Sequence, residues 1–386
     1  MRRNLTRLLC CCLACLGCDL FAAEMSGDVM YRDFTTTEYG QLEELAQGTG
    51  DSLDSIAVKG AFGKEDFLTV RKWIKEGRLR VVNLENARIE NNEIPDGIFE
   101  STSIHRIILP DGVETIGKGA FQFSPLRDIN FPASIKSIGM SCFRDCIHLG
   151  PSVTLPPMLQ EIEYATFLGC NSIEKVEIPD GVEKIGDSAF EHCVKLRNIK
   201  FPESLFAMGS QAFFYGIALE EIELPSELRI MGQSCFSTNL ALKRIVCNAA
   251  VPPVAINTMI NGGADFYYYA FNNDTPRDIP VYVPDESVKD YKNVLGWDYF
   301  TNILPKGSMS GINNVAMSQQ ATVTVNGDRI RVVTPEGSSL QPVHISSIAG
   351  IGIYSGEVCG EFVSEPLASG IYVVKCGTQT HKLMVR

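Results

Sequence analysis

Ile178-Pro179-Asp180-Gly181-Val182-Glu183-Lys184-Ile185-Gly186-Asp187-Ser188-Ala189-Phe190-Glu191-His192-Cys193-Val194-Lys195-Leu196-Arg197-Asn198-Ile199-Lys200 is one period of a phrase that recurs through the middle of this 386-residue chain. Its start is marked six times, at Leu109-Pro110, Phe131-Pro132, Leu155-Pro156, Ile178-Pro179, Phe201-Pro202 and Leu224-Pro225. The steps between these anchors are 22, 24, 23, 23 and 23 residues. A fixed period in the twenties is the signature of a solenoid.

Each column of the repeat has a physical job. Ile199-Lys200-Phe201 alternates in, out, in, which is strand period. Pro202 then ends the strand, because it offers no N–H to a ladder. Val182 and Ile185 line a second short segment. Gly186 follows, with equivalents Gly117, Gly139, Gly209 and Gly232. A glycine repeated at one column implies either a turn with positive φ or close approach of neighbouring coils. The aromatic column reads Phe121, Phe143, Phe167, Phe190, Phe213, Phe236, and predicts a continuous buried spine. Three residues on, Ser124, Cys146, Cys170, Cys193, Gly216 and Asn239 are small, and a Leu/Ile column follows from Leu126 to Leu242. The 22- and 24-residue steps place their length changes after Ser124 and Leu149, in connecting segments. A partial repeat (Ile94-Pro95, Phe99, Ile104, Ile107, Leu109) precedes the set, so about seven coils stack and their open ends need caps.

The column set L-P…V-x-x-I-G…A-F-x-x-C-x-x-L-x-x-I over residues 94–247 resembles the BspA-like leucine-rich repeats of bacterial surface proteins. That resemblance implies a curved right-handed solenoid with short strands on its concave side, and does not imply catalysis. The expected fold class is α+β, mostly β: a right-handed leucine-rich-repeat solenoid with N- and C-terminal caps, plus a small C-terminal antiparallel β-sandwich.

The expected domains are a signal peptide (1–23), an N-terminal cap (24–93), the solenoid (94–250), a degenerate repeat with a C-terminal cap (251–306) and the β-sandwich (307–386). Arg2, Arg3 and Arg7, the apolar run Leu8 to Leu16, and Ala22-Ala23 read as a secretory signal. Cys15 and Cys18 raise a lipoprotein as the alternative, although Leu stands two residues before each Cys rather than three. Phe67 to Gly77 reads as an amphipathic helix closed by Gly77, and Leu79 to Leu84 as a strand. Tyr267-Tyr268-Tyr269-Ala270-Phe271 reads as a degenerate coil, Val281-Tyr282-Val283 as a strand, and Asp285 to Val294 as a helix with an acidic cap, before the buried Trp297. Lys306 to Gly311 reads as a short flexible linker. Thr322–Asn326, Arg329–Val333, Val343–Ile348, Glu361–Val363, Ile371–Lys375 and His381–Val385 read as sandwich strands. The ending, Gly370-Ile371-Tyr372-Val373 followed by Lys382-Leu383-Met384-Val385-Arg386, resembles C-terminal sorting domains of the type IX secretion pathway. An association with the outer membrane is what this resemblance implies.

A net charge of −12 argues against nucleic acid as a main partner, since phosphate binding needs a basic surface. No stretch after the N-terminus is apolar enough for a transmembrane helix. Thirteen cysteines suggest a disulfide scaffold, but five lie in the signal segment. Cys146, Cys170 and Cys193 share one inward column. A metal or redox ladder is one reading; buried thiols acting as small hydrophobes is the favoured one, because Ser, Gly and Asn replace Cys in the same column. Cys359 and Cys376 are left as a candidate pair.

The five histidines form no metal-ligand pair, and no nucleophile elbow or phosphate-binding loop occurs. No catalytic, cofactor-binding or metal residue is assigned, and no cofactor is expected. Two surfaces are candidates for binding. One is the outward side of the strands, including Lys175, Glu177, Lys200 and Glu223; it is either an ordinary solvated strand face or a binding face. The other is where the repeats break their own rule: Phe206, Phe214, Tyr215 and Ile230 stand at columns that are polar elsewhere. They form either an exposed patch or the seat of the C-terminal cap. The function expected is a non-catalytic, adhesion-type protein-binding repeat protein, secreted or on the bacterial cell surface. The alternative is a structural or carbohydrate-capture component of an outer-membrane assembly, with or without a lipid anchor.

Overall fold

The protein is described by a computed structural model over residues 31–47, 53–261, 264–271, 274–309, 322–326, 328–334, 341–347, 352–358, 361–376 and 379–385. The signal-peptide reading and Cys359 fall outside the described residues. The chain divides into two compact units, Met1–Leu304 and Pro305–Arg386.

The first unit is a solenoid built on stacked rings. Phe121, Phe143, Phe167, Phe190, Phe213 and Phe236 are all buried, and successive rings lie 5.5, 5.3, 5.3, 5.3 and 5.2 Å apart within 10° of parallel. Phe99 extends the stack at one end and Phe271 at the other. Edge-on rings then close it: Phe67 against Phe99, and Trp297 and Phe300 against Phe271. Each coil gives two parallel strands. The first column runs through Arg106–Ile108, Asp128–Ile129, Ser152–Thr154, Lys175–Glu177, Asn198–Lys200, Glu221–Leu224 and Arg244–Cys247. The second runs from Glu93–Ile94 to Ile230–Met231. Ile94 pairs with Ile116 in this second column, so Pro95, not an equivalent of Pro110, stands at the glycine position.

The recurring glycine serves close approach. A Cβ on Gly209 would lie 2.4 Å from the Asp187 backbone nitrogen, and one on Gly232 2.4 Å from that of Ser210. Positive φ falls two residues later instead, at Ser141, Ala165, Ser188, Gln211 and Ser234, and again two residues after the Phe, at Phe123, Asp145, His192, Tyr215 and Thr238. In the Phe167 coil Glu163 replaces the glycine. There the second sheet breaks between Ser137–Ile138 and Glu161–Ile162, because a side chain at this column meets the preceding coil. The turn hydrogen bonds stay closed across the break, with Phe143 N–H donating to the Thr166 carbonyl at 2.9 Å.

The cysteine column is a ladder of donors. Cys146, Cys170 and Cys193 thiols donate to the carbonyls of Phe121, Phe143 and Phe167 at 3.1, 3.1 and 3.3 Å. Asn239 Nδ2 donates to the Phe213 carbonyl at 3.0 Å. Gly216 in the same column has no such donor and Ser124 meets the Cys146 thiol instead, so small size is what all six share.

The N-terminal cap adds strands Tyr31–Thr36, Ser55–Phe62 and Val81–Ile89 in parallel to the first column, and helix Lys64–Lys75 covers the Phe99 end. The helix ends earlier than expected, and Gly77, at φ +73°, donates its N–H to Ile74. At the other end Val281–Val283 pairs with Arg244–Cys247. A 3-10 turn Asp285–Ser287 precedes a short helix Val288–Asn293, with no side-chain cap. Trp297 is fully buried and donates Nε1–H to the Pro253 carbonyl at 2.9 Å. An antiparallel hairpin, Ile256–Asn261 with Ala264–Tyr269, has no counterpart in the sequence reading. It interrupts the last coil between Ala255 and Ala270, whose N–H donates to the Ala255 carbonyl at 2.8 Å.

In the second unit two antiparallel sheets enclose one core of Ile330, Val332, Val343, Ile345, Val358, Tyr372, Val374 and Val385. This is a β-sandwich. The strand Gly352–Val358 is additional to those expected. Lys306–Ser308 is a 3-10 turn rather than an irregular linker.

Candidate binding surfaces

The first strand column is not one continuous sheet. It breaks twice, first between Asp128–Ile129 and Ser152–Thr154 and again between Asn198–Lys200 and Glu221–Leu224. At the second break Ile199 is only partly buried, whereas Val176 and Ile222 on either side are 1% and 2% exposed. A groove of about 570 Å³ lies there, and Lys175, Glu177, Lys200 and Glu223 all line it. Arg197, Glu221 and Arg244 complete its charged rim. Much of that charge is paired internally. Lys175 Nζ lies 2.5 Å from Glu177 Oε1, and Arg244 Nη2 lies 2.5 Å from Glu221 Oε2. Hydrogen bonds from Lys175 and then Thr154 hold the Glu177 carboxyl below its usual range. Asn248 Nδ2 donates to Glu223 Oε1 at 3.1 Å. Lys200 forms no ion pair among the described residues.

The four rule-breaking apolar residues fall into two pairs. Phe206 and Ile230 are neighbours on the second sheet, where Ile230 N–H donates to the Phe206 carbonyl at 3.3 Å. They are 42% and 48% exposed, and Val254, bridged to Ile230, is exposed beside them. Phe214 and Tyr215 belong to the turn after the ring stack. There His192 lies 5.8 Å from Phe214 and 4.8 Å from Tyr215. Phe214 is half-buried and Tyr215 exposed. Sequence reading overlooked an exposed column on the same turn: Ile147, Ile217 and Leu240, each four residues after a stacked Phe. Its signal was an apolar residue at a fixed offset.

Among the described residues no group of three or more His, Cys, Asp and Glu is placed to hold a metal, and no helix is long and apolar enough to cross a membrane.

The family model for the BspA type leucine rich repeat region matches residues 72–150 and 150–258, in six copies. It reaches further toward the N-terminus than the columns read from sequence, and takes in the strand Val81–Ile89. No curated protein matches the chain. Among solved structures, a leucine-rich repeat protein from Bacteroides ovatus is 17% identical, covering 72% of this chain and 81% of its own, with a TM-score of 0.43. A leucine rich cell surface protein from Faecalibacterium prausnitzii is 16% identical over 75% and 90%, with a TM-score of 0.33. The pneumococcal vaccine antigen PcpA is 17% identical over 72% and 89%, with a TM-score of 0.31. With its ring column, its glycine column and the matched repeats in agreement, the solenoid of this chain belongs to the BspA-type leucine-rich repeats.

Proposed function

We propose that this chain is a non-catalytic, secreted or surface-exposed protein that binds a protein ligand on the strand face of its solenoid. The observation that carries the reading is the groove at the strand break beside Asn198–Lys200, where an uncovered part of Ile199 lies among Lys175, Glu177, Lys200 and Glu223. A partly apolar floor with a polar rim is the anatomy of a protein-binding patch. The Phe206–Ile230 pair is a second apolar contact surface, and its exposure favours a docking role over a seat for the cap.

The test is capture of a partner from host or neighbouring-cell extract, identified by mass, followed by affinity measurements on variants. Lys200→Glu with Glu223→Lys should weaken binding by tenfold or more and leave the melting midpoint unchanged. If Phe206→Ser with Phe214→Ser abolishes binding instead, with folding intact, the apolar surface is the site. Unchanged binding in both variants would overturn the reading. Protease shaving of intact cells tests surface exposure directly.

A further inference from the structure

Both openings in the first strand column uncover apolar residues that the other coils keep closed. Ile107, Val153, Val176, Ile222 and Ile245 point inward along this column and are buried. Beside the first opening Ile129 rises to 8% exposed, and Phe131, the next inward residue, is only partly buried. Beside the second opening Ile199, in the column position of Ile129, is only partly buried. In each case the uncovered residue belongs to the coil before the break.

The first opening has a visible cause. Glu174 and Lys175 N–H both donate to the Pro151 carbonyl, at 2.7 and 3.1 Å, so Pro151 stands in the rung position ahead of the strand. Proline has no N–H to pass to the coil before it. Gly150 N–H reaches the Arg127 carbonyl instead, at 3.4 Å. The sheet parts here over a groove of about 340 Å³, lined by Ile129 and Phe131 on one side and by Ser152 and Val153 on the other. The groove of about 570 Å³ over Ile199 is its counterpart.

The two grooves are set a fixed distance apart. Between them Ser152–Thr154, Lys175–Glu177 and Asn198–Lys200 run in unbroken parallel register. Three rung steps therefore separate Ile129 from Ile199, roughly 14 Å at ordinary strand spacing. In an extended chain residues i and i+4 point the same way and lie roughly 13 Å apart. The face around the grooves is neutral by pairing. Arg106 closes on Asp128 at 3.1 Å, Lys175 on Glu177 at 2.5 Å and Arg244 on Glu221 at 2.5 Å. Lys200 and Glu223, of opposite sign, both line the second groove. In a chain of net charge −12 this balance favours neither an acidic nor a basic ligand, and an uncharged one complements it.

We propose that the two openings are paired pockets for one extended, uncharged segment of a partner protein, which seats apolar side chains at i and i+4. This rests on the reading of the strand face as a protein-binding surface, and names the chemistry of the partner. The first apolar side chain meets Ile129 and Phe131, the second Ile199. The residue at i+2 faces the closed strands between the pockets, where Ser152, Thr154 and the Lys175–Glu177 pair offer hydrogen bonds and no apolar recess.

The experiment titrates the full chain with fluorescent, end-blocked peptides of Ser and Thr that carry two Leu residues two, three, four or six positions apart, with one-Leu peptides as controls. The four-apart peptide should bind about tenfold more tightly than the controls, the gain from burying a second Leu side chain. The other spacings should match the controls. In Ile199→Ala, and separately in Phe131→Ala, the advantage of the second Leu should disappear, an effect that a merely structural role would not confine to one spacing. Ser152→Glu, an exposed change at the rim of the first groove, should remove the same advantage and serves where Phe131→Ala does not fold. Equal affinity for every two-Leu spacing would overturn the paired site. So would an advantage that survives Ile199→Ala and Ser152→Glu, a failure of every peptide to bind, or binding of neutral dextran in place of the peptides. The protein-binding reading stands or falls separately, on the response of a captured partner to the charge-swapped Lys200 and Glu223 and to the Phe206 variant.

Discussion

The rings of Phe190 and Phe213 lie 5.3 Å apart and 8° from parallel. Phe167 stacks on the other side of Phe190 at 5.3 Å. Phe190 is thus held between two aromatic faces and is 1% exposed. Phe190→Ala should cost roughly 3–5 kcal/mol, because neighbouring coils cannot collapse into the gap without breaking their turn ladders. A denaturant melt of the variant measures it. An unchanged midpoint would mean that the ring column does not carry the fold.

Gly209 separates two coils by the width of a hydrogen. A methyl group there meets the Asp187 and Gly186 backbone as well as Asp187 Oδ1, so moving a side chain does not relieve the clash. Gly209→Ala should therefore destabilise by about 1–3 kcal/mol, the usual penalty of overpacking. Thermal unfolding of this single variant is sufficient to check it.

Gln211 occupies a left-handed position at φ +57° and is not buried. Gln211→Gly should stabilise the array by about 1 kcal/mol, by removing the Cβ conflict of an L residue in that region. A lower melting midpoint would show that the Gln side chain contributes more than its backbone costs.

Burial pushes the Cys146 and Cys193 thiols up to about 12, and Cys142 and Cys170 well above their ordinary value. At neutral pH these groups remain protonated and unreactive. Alkylation of the native protein followed by peptide mass analysis should leave all four unmodified, and denaturation should expose them. Rapid native labelling at any of them would contradict the closed core.

His105 is held below the ordinary imidazole range, first by burial and then by Arg127, Arg80 and His148. The unfolded chain therefore takes up its proton more readily than the fold. Stability from this group is intact above the unfolded value of about 6.5 and falls as pH drops through it. Melting midpoints from pH 7.5 to 5 should decline less steeply in His105→Gln than in the parent. Parallel curves would remove His105 from the pH response.

The solenoid was legible because stacked coils repeat each constraint. One wrong residue in a column is outvoted by five right ones, so the Phe, Gly and Leu/Ile columns read correctly from spacing alone. Exceptions were visible as residues but not in their effects. Glu163 takes the place of the glycine in one coil, and nothing in one sequence says that the sheet opens there. The cysteine column read as small, and all six positions are, while the bonds its thiols make to the preceding Phe carbonyls depend on rung-to-rung geometry. The hairpin after Ala255 was hidden because its aromatic run, Phe266 to Tyr269, mimics a coil and flows directly into Phe271. Lys175, Glu177, Lys200 and Glu223 were grouped by column, and they line one groove. Phe206 and Phe214 were grouped by rule-breaking, a criterion that carries no distance, and they fall on different parts of the coil.

The bond between Ala270 and Ala255 has a consequence for how this molecule measures length. The chain departs from the stack and rejoins it at one point, and Phe271 still sits 5.8 Å from Phe236, the next ring in line. Contour length and architectural length are uncoupled there: the array counts rings, not residues. Whatever is spliced between these two alanines travels as cargo, and the terminal Trp297 lid closes over the same surface whether the cargo is long, short or foreign.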